Sequence, residues 1–491
     1  MEHFVTTVAL IGIVIIVASL LSGALERTGA PLVAVFLALG AALGPYGLGV
    51  VDIGLASPAL RSLATLGLAL VLFSDAVTIE TTKVREHKRL TWRLLGPGTL
   101  VPAALIAAAA WWLLDVPVAA AAILGAALAS TDPVLLRSVL RSSALPATPR
   151  LALRLETGMN DVLLLPIVAI SMLFLQSGGG GPAQGVLGRH LLGLFILGPA
   201  LGALVGWLGI IVLGYVRDRV GVRRDYESLY ALGLAFTGYA AAEAVGGSGF
   251  LAAFFAGFMV ARQDVELCDC FLEYGEATAE MLLLLTFVAL GTSLIWTGFS
   301  VIDGRTMLFA IIALATRTVV LFPILSKLGL SQRDRRLIAL FGPRGLSSLL
   351  FTLLPVFAGV PGSERLFTIT CLVVLMSVVL HGGGMGLFLR ANLEPREAGI
   401  VNVRTPAARS PELVAASDSP DVALPERIEM EETLALTQRL EAVLVDARSE
   451  RSYDSDPRNA RGAVRLAPDD PVRSATEQRL AKHSSLVVYC A

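Results

Sequence analysis

The chain has 491 residues, 55% of them hydrophobic and only 16% charged, with bases and acids almost balanced at a formal net charge of −1. That composition, with the charges gathered into a few stretches, is that of a membrane protein and offers no basis for a nucleic-acid partner. Four cysteines are too few and too scattered for a disulfide framework.

Crossing a hydrocarbon core of ~30 Å at ~1.5 Å per helical residue takes about twenty apolar residues. In chain order the stretches that meet this are 4–25, 31–50, 60–80, 94–114, 117–136, 151–176, 190–215, 226–244, 248–262, 278–295, 306–326, 337–360 and 365–390. An all-α polytopic protein of about 13 spans is therefore expected. The first stretch follows MEHF and lacks a basic leader, so it reads as a permanent span rather than a cleaved signal. Lys83, Arg85, Lys88, Arg89 and Arg93 follow segment three, and Arg137, Arg141 and Arg150 follow five. Arg217, Arg219, Arg223 and Arg224 follow seven, and Lys327, Arg333, Arg335 and Arg336 follow eleven. The even-numbered loops hold little beyond Arg61, Arg189, Arg305 and Arg365. The positive-inside bias then puts the odd loops in the cytoplasm, the N-terminus outside and everything after Arg390 inside, in a cell (inner) membrane.

The flexible connection QSGGGGPAQG at 176–185 suggests two halves. Segments one to six and eight to thirteen then read as inverted repeats around segment seven, the plan on which many secondary transporters build a midplane site from broken helices. Two stretches are suited to breaking: Ser130-Thr131-Asp132-Pro133 in segment five and Gly342-Pro343-Arg344-Gly345 in segment twelve. They occupy corresponding places in the two repeats, one with an acid and one with a base, and those charges are fit to neutralise half-helix ends.

Segment six contains RLETGMNDVLLLPIVAI, which puts Glu156, Asn160 and Asp161 into an otherwise lipid-compatible run. Ionisable groups at such depth are costly and mark a pathway or a pump site. Asp161 lies ten residues in from the cytoplasmic end, about 15 Å deep. Counted from the other side, Asp132 and Arg317 reach a similar level. Thr157 and Asp161 share a helix face, and Asn160 lies three residues from Thr157 and four from Glu156. The result is an oxygen-rich patch suited to a hard cation such as Na+. Asp161 can hold a cation or a proton, which compete for one charge, while Asn160 adds an amide without a second charge.

The ordered set Thr131-Asp132-Pro133, Glu156-Thr157-Gly158-Met159-Asn160-Asp161 and Gly342-Pro343-Arg344-Gly345, with SGFLAAFFAGFMVAR at 248–262, resembles the cation/proton antiporter family of NhaP-type and animal sodium/proton exchangers. The resemblance covers roughly residues 5 to 390. It implies the sodium/proton antiporter fold with crossed broken helices, Asp161 as the ion-carrying carboxylate, Thr131 and Asp132 as site-lining groups, and a Glu156–Arg317 ion pair. It also implies a homodimer and transport of Na+ against H+ with no cofactor. The family's usual serine after the glutamate is Thr157 here, whose extra methyl bears on ion size.

Several of these residues have a second reading. Asp132, before a proline, is also placed to cap a helix. Asp75 either lines an inner funnel or ends a helix in solvent. Arg344 either sets the geometry of its break or snorkels to the cytoplasmic face. Cys268 and Cys270 form a lone C-x-C with no second ligand pair, so no metal site is read there.

Composition changes after Arg390. Residues 391–422 are rich in Pro, Ala and Ser and read as a cytoplasmic linker. Residues 423–491 read as an α/β unit with strands at VLVD and LVVYC. Val443 to Arg448, Tyr453, Gly462-Ala463 and Val487-Val488-Tyr489-Cys490 resemble a rhodanese domain, which implies Cys490 as the sulfur-accepting cysteine. The sequence stops one residue later, so the anion-cradling loop is missing and the domain reads as partial and inactive. The leading expectation is an electroneutral cation/proton antiporter. The alternative is a sulfur-oxyanion transporter coupled to the sulfurtransferase-like tail.

Overall fold

The computed structural model describes residues 32–79, 81–141, 145–178, 181–263, 276–392, 442–448 and 486–489, and, singly or in short runs, 12, 16, 17, 20, 453, 460, 462–466, 474, 475, 478 and 480. Most of the first expected span, the linker beyond 392, Cys268, Cys270 and Cys490 lie outside the described residues. The chain falls into two compact units, residues 1–392 and 393–491.

The first unit is helical. Its principal helices are α1 (Leu32–Leu43), α2 (Pro58–Val77), α3 (Lys88–Leu95), α4 (Pro97–Leu114), α5 (Val118–Ala129), α6 (Pro133–Arg141), α7 (Ala147–Gln176) and α8 (Gly198–Arg219). There follow α9 (Arg224–Ala244), α10 (Gly249–Gln263), α11 (Glu276–Thr292), α12 (Gly304–Ser326), α13 (Gln332–Leu340), α14 (Leu346–Phe357), α15 (Ser363–Ser377) and α16 (Gly383–Asn392). Proline opens α2, α4 and α6, where its missing N–H costs nothing. Pro102, Pro166, Pro323 and Pro355 sit inside helices, as apolar spans tolerate when neighbours satisfy the freed carbonyls.

Among the described residues, seven helices are long and apolar enough to cross a membrane, or eight if α11 and the 3-10 turn Leu294–Val301, bent by 50°, count as one span. The distance from thirteen has physical causes. The second, ninth and twelfth expected stretches fold as shorter apolar helices. The eighth, α9, is 21 residues long but carries Arg224, Asp225, Glu227 and Glu243. Close backbone packing compensates for the modest apolar surface of such helices. Any Cβ on Gly40 would press into the Val288 carbonyl and the Gly291 backbone, so α1 and α11 touch main chain to main chain.

The second unit holds a small parallel sheet of β1 (Val443–Asp446), β2 (Val464–Arg465) and β3 (Leu486–Tyr489), in the order β2-β1-β3. Val445 pairs with Val464 on one side and Val488 on the other, and it is buried. Asp446 at the end of β1 accepts from Arg448 Nη2 at 2.7 Å. Burial alone would raise the Asp446 carboxyl, but the Arg448 hydrogen bonds outweigh it and hold the group below the ordinary carboxylate range.

Candidate functional site

Two of the helical runs stop and restart in the interior. α5 ends at Ala129 and α6 begins at Pro133, leaving Ser130, Thr131 and Asp132 outside regular helix; α13 ends at Leu340 and α14 begins at Leu346, leaving Phe341 to Gly345. Each interruption exposes the C-terminal carbonyls of one half-helix and the N-terminal N–H groups of the other. Inside an apolar protein these must find partners.

The partners come from the opposite break. The Asp132 carboxylate accepts from the Val134 N–H at 2.7 Å, capping its own restart, and from the Leu346 N–H at 2.5 Å, capping the start of α14. The Asp132 N–H donates to the Pro343 carbonyl at 3.0 Å. In return Arg344 Nη1 donates to the Ala129 and Ser130 carbonyls at 3.0 and 2.8 Å, at the end of α5. A carboxylate thus sits on two helix N-termini and a guanidinium on a helix C-terminus, both favourable to the helix dipole. Gly345 makes the crossing close, because a Cβ there would collide with the Asp132 carboxylate.

α7 passes beside this crossing with a fully internal row of polar groups. Glu156 forms a two-pronged pair with Arg317 of α12, Nε to Oε1 at 2.7 Å and Nη2 to Oε2 at 2.6 Å. Arg317 Nη1 also donates to the Ala339 carbonyl at 2.9 Å, which places a cation on the end of α13. Gly342 leaves room for that guanidinium, since a Cβ would fall 2.5 Å from Nη1. Thr131 donates to Glu156 Oε1 at 3.2 Å and receives Arg344 Nη1 at 3.3 Å, so one hydroxyl joins the two arginine networks.

Asp161 is 1% exposed, and Ser130 Oγ donates to its Oδ1 at 2.5 Å. Ser347 at the start of α14 faces the same carboxylate. Its Oδ2 has no hydrogen-bond partner, and neither amide atom of the fully buried Asn160 has one. These orphaned atoms sit on adjacent residues. Asp161 Oδ2 and Asn160 Oδ1 are oxygen ligands fit for a monovalent cation or, at Asp161, for a proton, while Asn160 Nδ2 is a donor.

The structure revises some roles. The resemblance makes Asp132 a site-lining group and its place before a proline makes it a helix cap; its two oxygens accept from the Val134 and Leu346 N–H groups, as a cap does. Thr157 shares the face of Asp161, but its hydroxyl donates backward to the Leu153 and Arg154 carbonyls at 3.0 and 3.3 Å. Arg344 does not snorkel: it is 1% exposed and bonded to main-chain oxygen. Asp75 is buried in the last turn of α2 rather than at a solvated end, and its carbonyl lies where a Cβ on Gly158 would touch it, at 3.4 Å. Ser130 enters the site although only its helix-breaking neighbourhood was read from sequence. Among the described residues no cluster of three or more His, Cys, Asp or Glu could hold a resident metal.

Crossed half-helices around a buried, incompletely satisfied carboxylate, inside a bundle of apolar spans, define a multi-pass membrane protein of the secondary-transporter type. The family model for the transmembrane part of sodium/hydrogen exchangers matches residues 13–391, and the chain belongs to that family, whose members are transporters and not enzymes. It is 26% identical over 380 residues to the K(+)/H(+) antiporter NhaP2 of Shewanella sp. (strain ANA-3), covering 75% of this chain. The match spans 64% of that relative's length. The K(+)/H(+) antiporter NhaP of Alkalimonas amylolytica is 25% identical over 414 residues, 81% of this chain and 69% of that one. The fold is shared with the sodium proton antiporter MjNhaP1 of Methanocaldococcus jannaschii, solved at pH 8, with a TM-score of 0.61 at 19% identity over 80% of this chain and all of that one.

Proposed function

We propose that the protein exchanges one monovalent cation, sodium foremost, for one proton across the membrane, and that Asp161 carries both in turn. The observation that supports this most is the unequal partnering of the three acids at the crossing, Glu156, Asp132 and Asp161. Glu156 is closed by Arg317, and Asp132 is closed by N–H donors beside Arg344. Of these three, Asp161 is the one with an oxygen that lacks a hydrogen-bond partner and with no ion pair among the described residues. Its bare carboxylate leaves the cluster one negative charge in excess, and either a cation or a proton cancels it. Mutual exclusion at one carboxylate supports exchange rather than joint passage, and the one-for-one count is electroneutral. Asn160 Oδ1 and the Ser130 hydroxyl are the neighbouring ligands in this reading, and Asp132 supports the site through the backbone.

The reading extends to an inner-membrane homodimer of inverted repeats in 13 spans, with the N-terminus outside and the tail inside. The three-stranded parallel sheet is the core of a rhodanese-like unit that takes no part in exchange. The test is transport in proteoliposomes holding a pH dye, driven by sodium, then by potassium, the ion in the names of two relatives, then lithium. A potassium-valinomycin potential is then imposed with the valinomycin leak controlled. One charge moved per cycle would be driven by ~2.3 kcal/mol per 100 mV; the expected result is cation-driven proton flux indifferent to the sign of the potential. Steep, sign-dependent flux would overturn the one-for-one count, and flux with none of the three cations would overturn the reading.

A further inference from the structure

The second break is longer than the first, five residues against three, and its main chain needs more than Asp132 can supply. Pro343 brings no N–H, the Gly342 N–H turns back to the Leu340 carbonyl at 3.1 Å, and the Leu346 N–H goes to Asp132. The Arg344 N–H goes elsewhere, to Ser377 Oγ on α15, at 2.6 Å. Ser377 and Arg344 are both almost wholly buried, at 0% and 1% exposure.

The Ser377 hydroxyl is in turn 3.1 Å from Nδ1 of His381. Its oxygen already accepts from Arg344, so its single proton is free to be donated to the ring. In the Nε2–H tautomer of the ring, Nδ1 is the acceptor of that proton. His381 sits in a π-helical turn, Val378–Gly382, that interrupts the last span between α15 and α16. Such one-residue insertions concentrate at functional sites because they re-aim side chains.

The arrangement matters because of how the Arg344 side chain is held. Its side-chain hydrogen bonds among the described residues all run through Nη1, to two carbonyls and the Thr131 hydroxyl, while Nε and Nη2 have no hydrogen-bond partner. A guanidinium held by one nitrogen keeps its place only as well as the main chain that carries it. The same Nη1 grips the Ser130 carbonyl, and the Ser130 hydroxyl donates to Asp161. An unbroken series of hydrogen bonds and covalent links therefore runs from His381 through Ser377, Arg344 and Ser130 to Asp161.

We propose that Ser377 and His381 are positioning residues of the cation site: they anchor the Arg344 main chain and through it set the place of the Ser130 hydroxyl on Asp161. This rests on the exchange reading for its transport consequences, though not for the anchor itself. Two measurements separate them. In the first, deuterium uptake is followed by mass spectrometry in peptides covering 341–346. Ser377→Ala is expected to speed uptake, and Ser377→Thr, which keeps the hydroxyl, is expected to leave it near wild type. Unchanged uptake in Ser377→Ala would overturn the anchor. In the second, proteoliposome exchange is titrated with cation. A merely structural loss lowers the amount of active protein and leaves the half-saturating cation concentration alone. Positioning raises it, in Ser377→Ala and His381→Leu about fivefold, the net worth of one hydrogen bond. His381→Asn, whose Oδ1 falls near the position of Nδ1, is expected to stay within about twofold of wild type. Equal behaviour of His381→Asn and His381→Leu would overturn the role of the ring. If Ser377→Ala speeds uptake while the wild type transports no cation, the exchange reading has failed and the anchor stands.

Discussion

Glu156 and Asp161 lie five residues apart on α7 and are buried alike, 3% and 1% exposed, yet their surroundings are opposite. Glu156 meets a guanidinium that matches both its oxygens, and that guanidinium has a further carbonyl to hold. Asp161 meets a short hydroxyl contact on one oxygen and the facing Ser347 hydroxyl, and its Oδ2 has no hydrogen-bond partner. A buried charge with every atom answered is a fixture of the architecture. One left partly unanswered is ready for something that comes and goes. Burial does not separate the two acids; the count of partners does.

The sharpest way to break the contrast is Asp161→Asn. It removes the excess charge without changing volume, so cation-driven proton flux is expected to fall to that of protein-free liposomes while the melting temperature in detergent holds. Wild-type flux in that variant would place the exchanged charge elsewhere. At the other end of α7 the expected loss is of stability. Glu156→Ala and Arg317→Ala each strand a buried charge and are expected to cost ~3–5 kcal/mol, read by thermal unfolding. The double variant strands neither, so its cost should be well below the sum, and strict additivity would mean the pair carries no coupling.

Asp132→Asn sharpens the comparison by addressing the third acid. One of its oxygens becomes an NH2 facing a backbone N–H, which is expected to cost ~1–3 kcal/mol. Proton flux should survive at a reduced rate; complete loss with normal folding would make Asp132 a second exchanged carboxylate. The smallest effect belongs to Thr157→Ser, which keeps the hydroxyl on the Leu153 carbonyl. Stability should move by no more than ~0.5 kcal/mol, as a melting curve would show.

Much of this arrangement was legible in the chain. The Thr-Asp-Pro and Gly-Pro-Arg-Gly stretches break helical runs by composition, and both lie where helices stop. Counting residues from the span ends put Asp132, Asp161 and Arg317 at one level, and the Glu156–Arg317 pairing came with the family resemblance. What stayed hidden depended on direction rather than position. Whether the Asp132 oxygens face a cargo or two N–H groups turns on how the breaks cross, and nothing local encodes that. Arg344 could not be assigned between interface and interior for the same reason. Ser377 and His381 did leave a trace, two polar residues four apart in an otherwise apolar run, but such a pair also reads as a polar end to the last span. Span number rests on hydropathy, which cannot tell a full crossing from a half-helix.

The crossing of the two breaks also bears on how the protein is made. The bond from Leu346 to Asp132 joins residues 214 apart in sequence. At about 5–20 residues per second, a ribosome reaches the second break roughly 10–40 s after the first. Through that interval the end of α5 and the Asp132 N–H lack the groups that later complete them, in surroundings where an unanswered backbone group costs several kcal/mol. The first half must therefore wait in the membrane, or in the care of the insertion machinery, for the second. A chain cut short before Arg344 would keep Asp132 and the end of α5 exposed, a mark by which quality control can tell an unfinished molecule from a finished one.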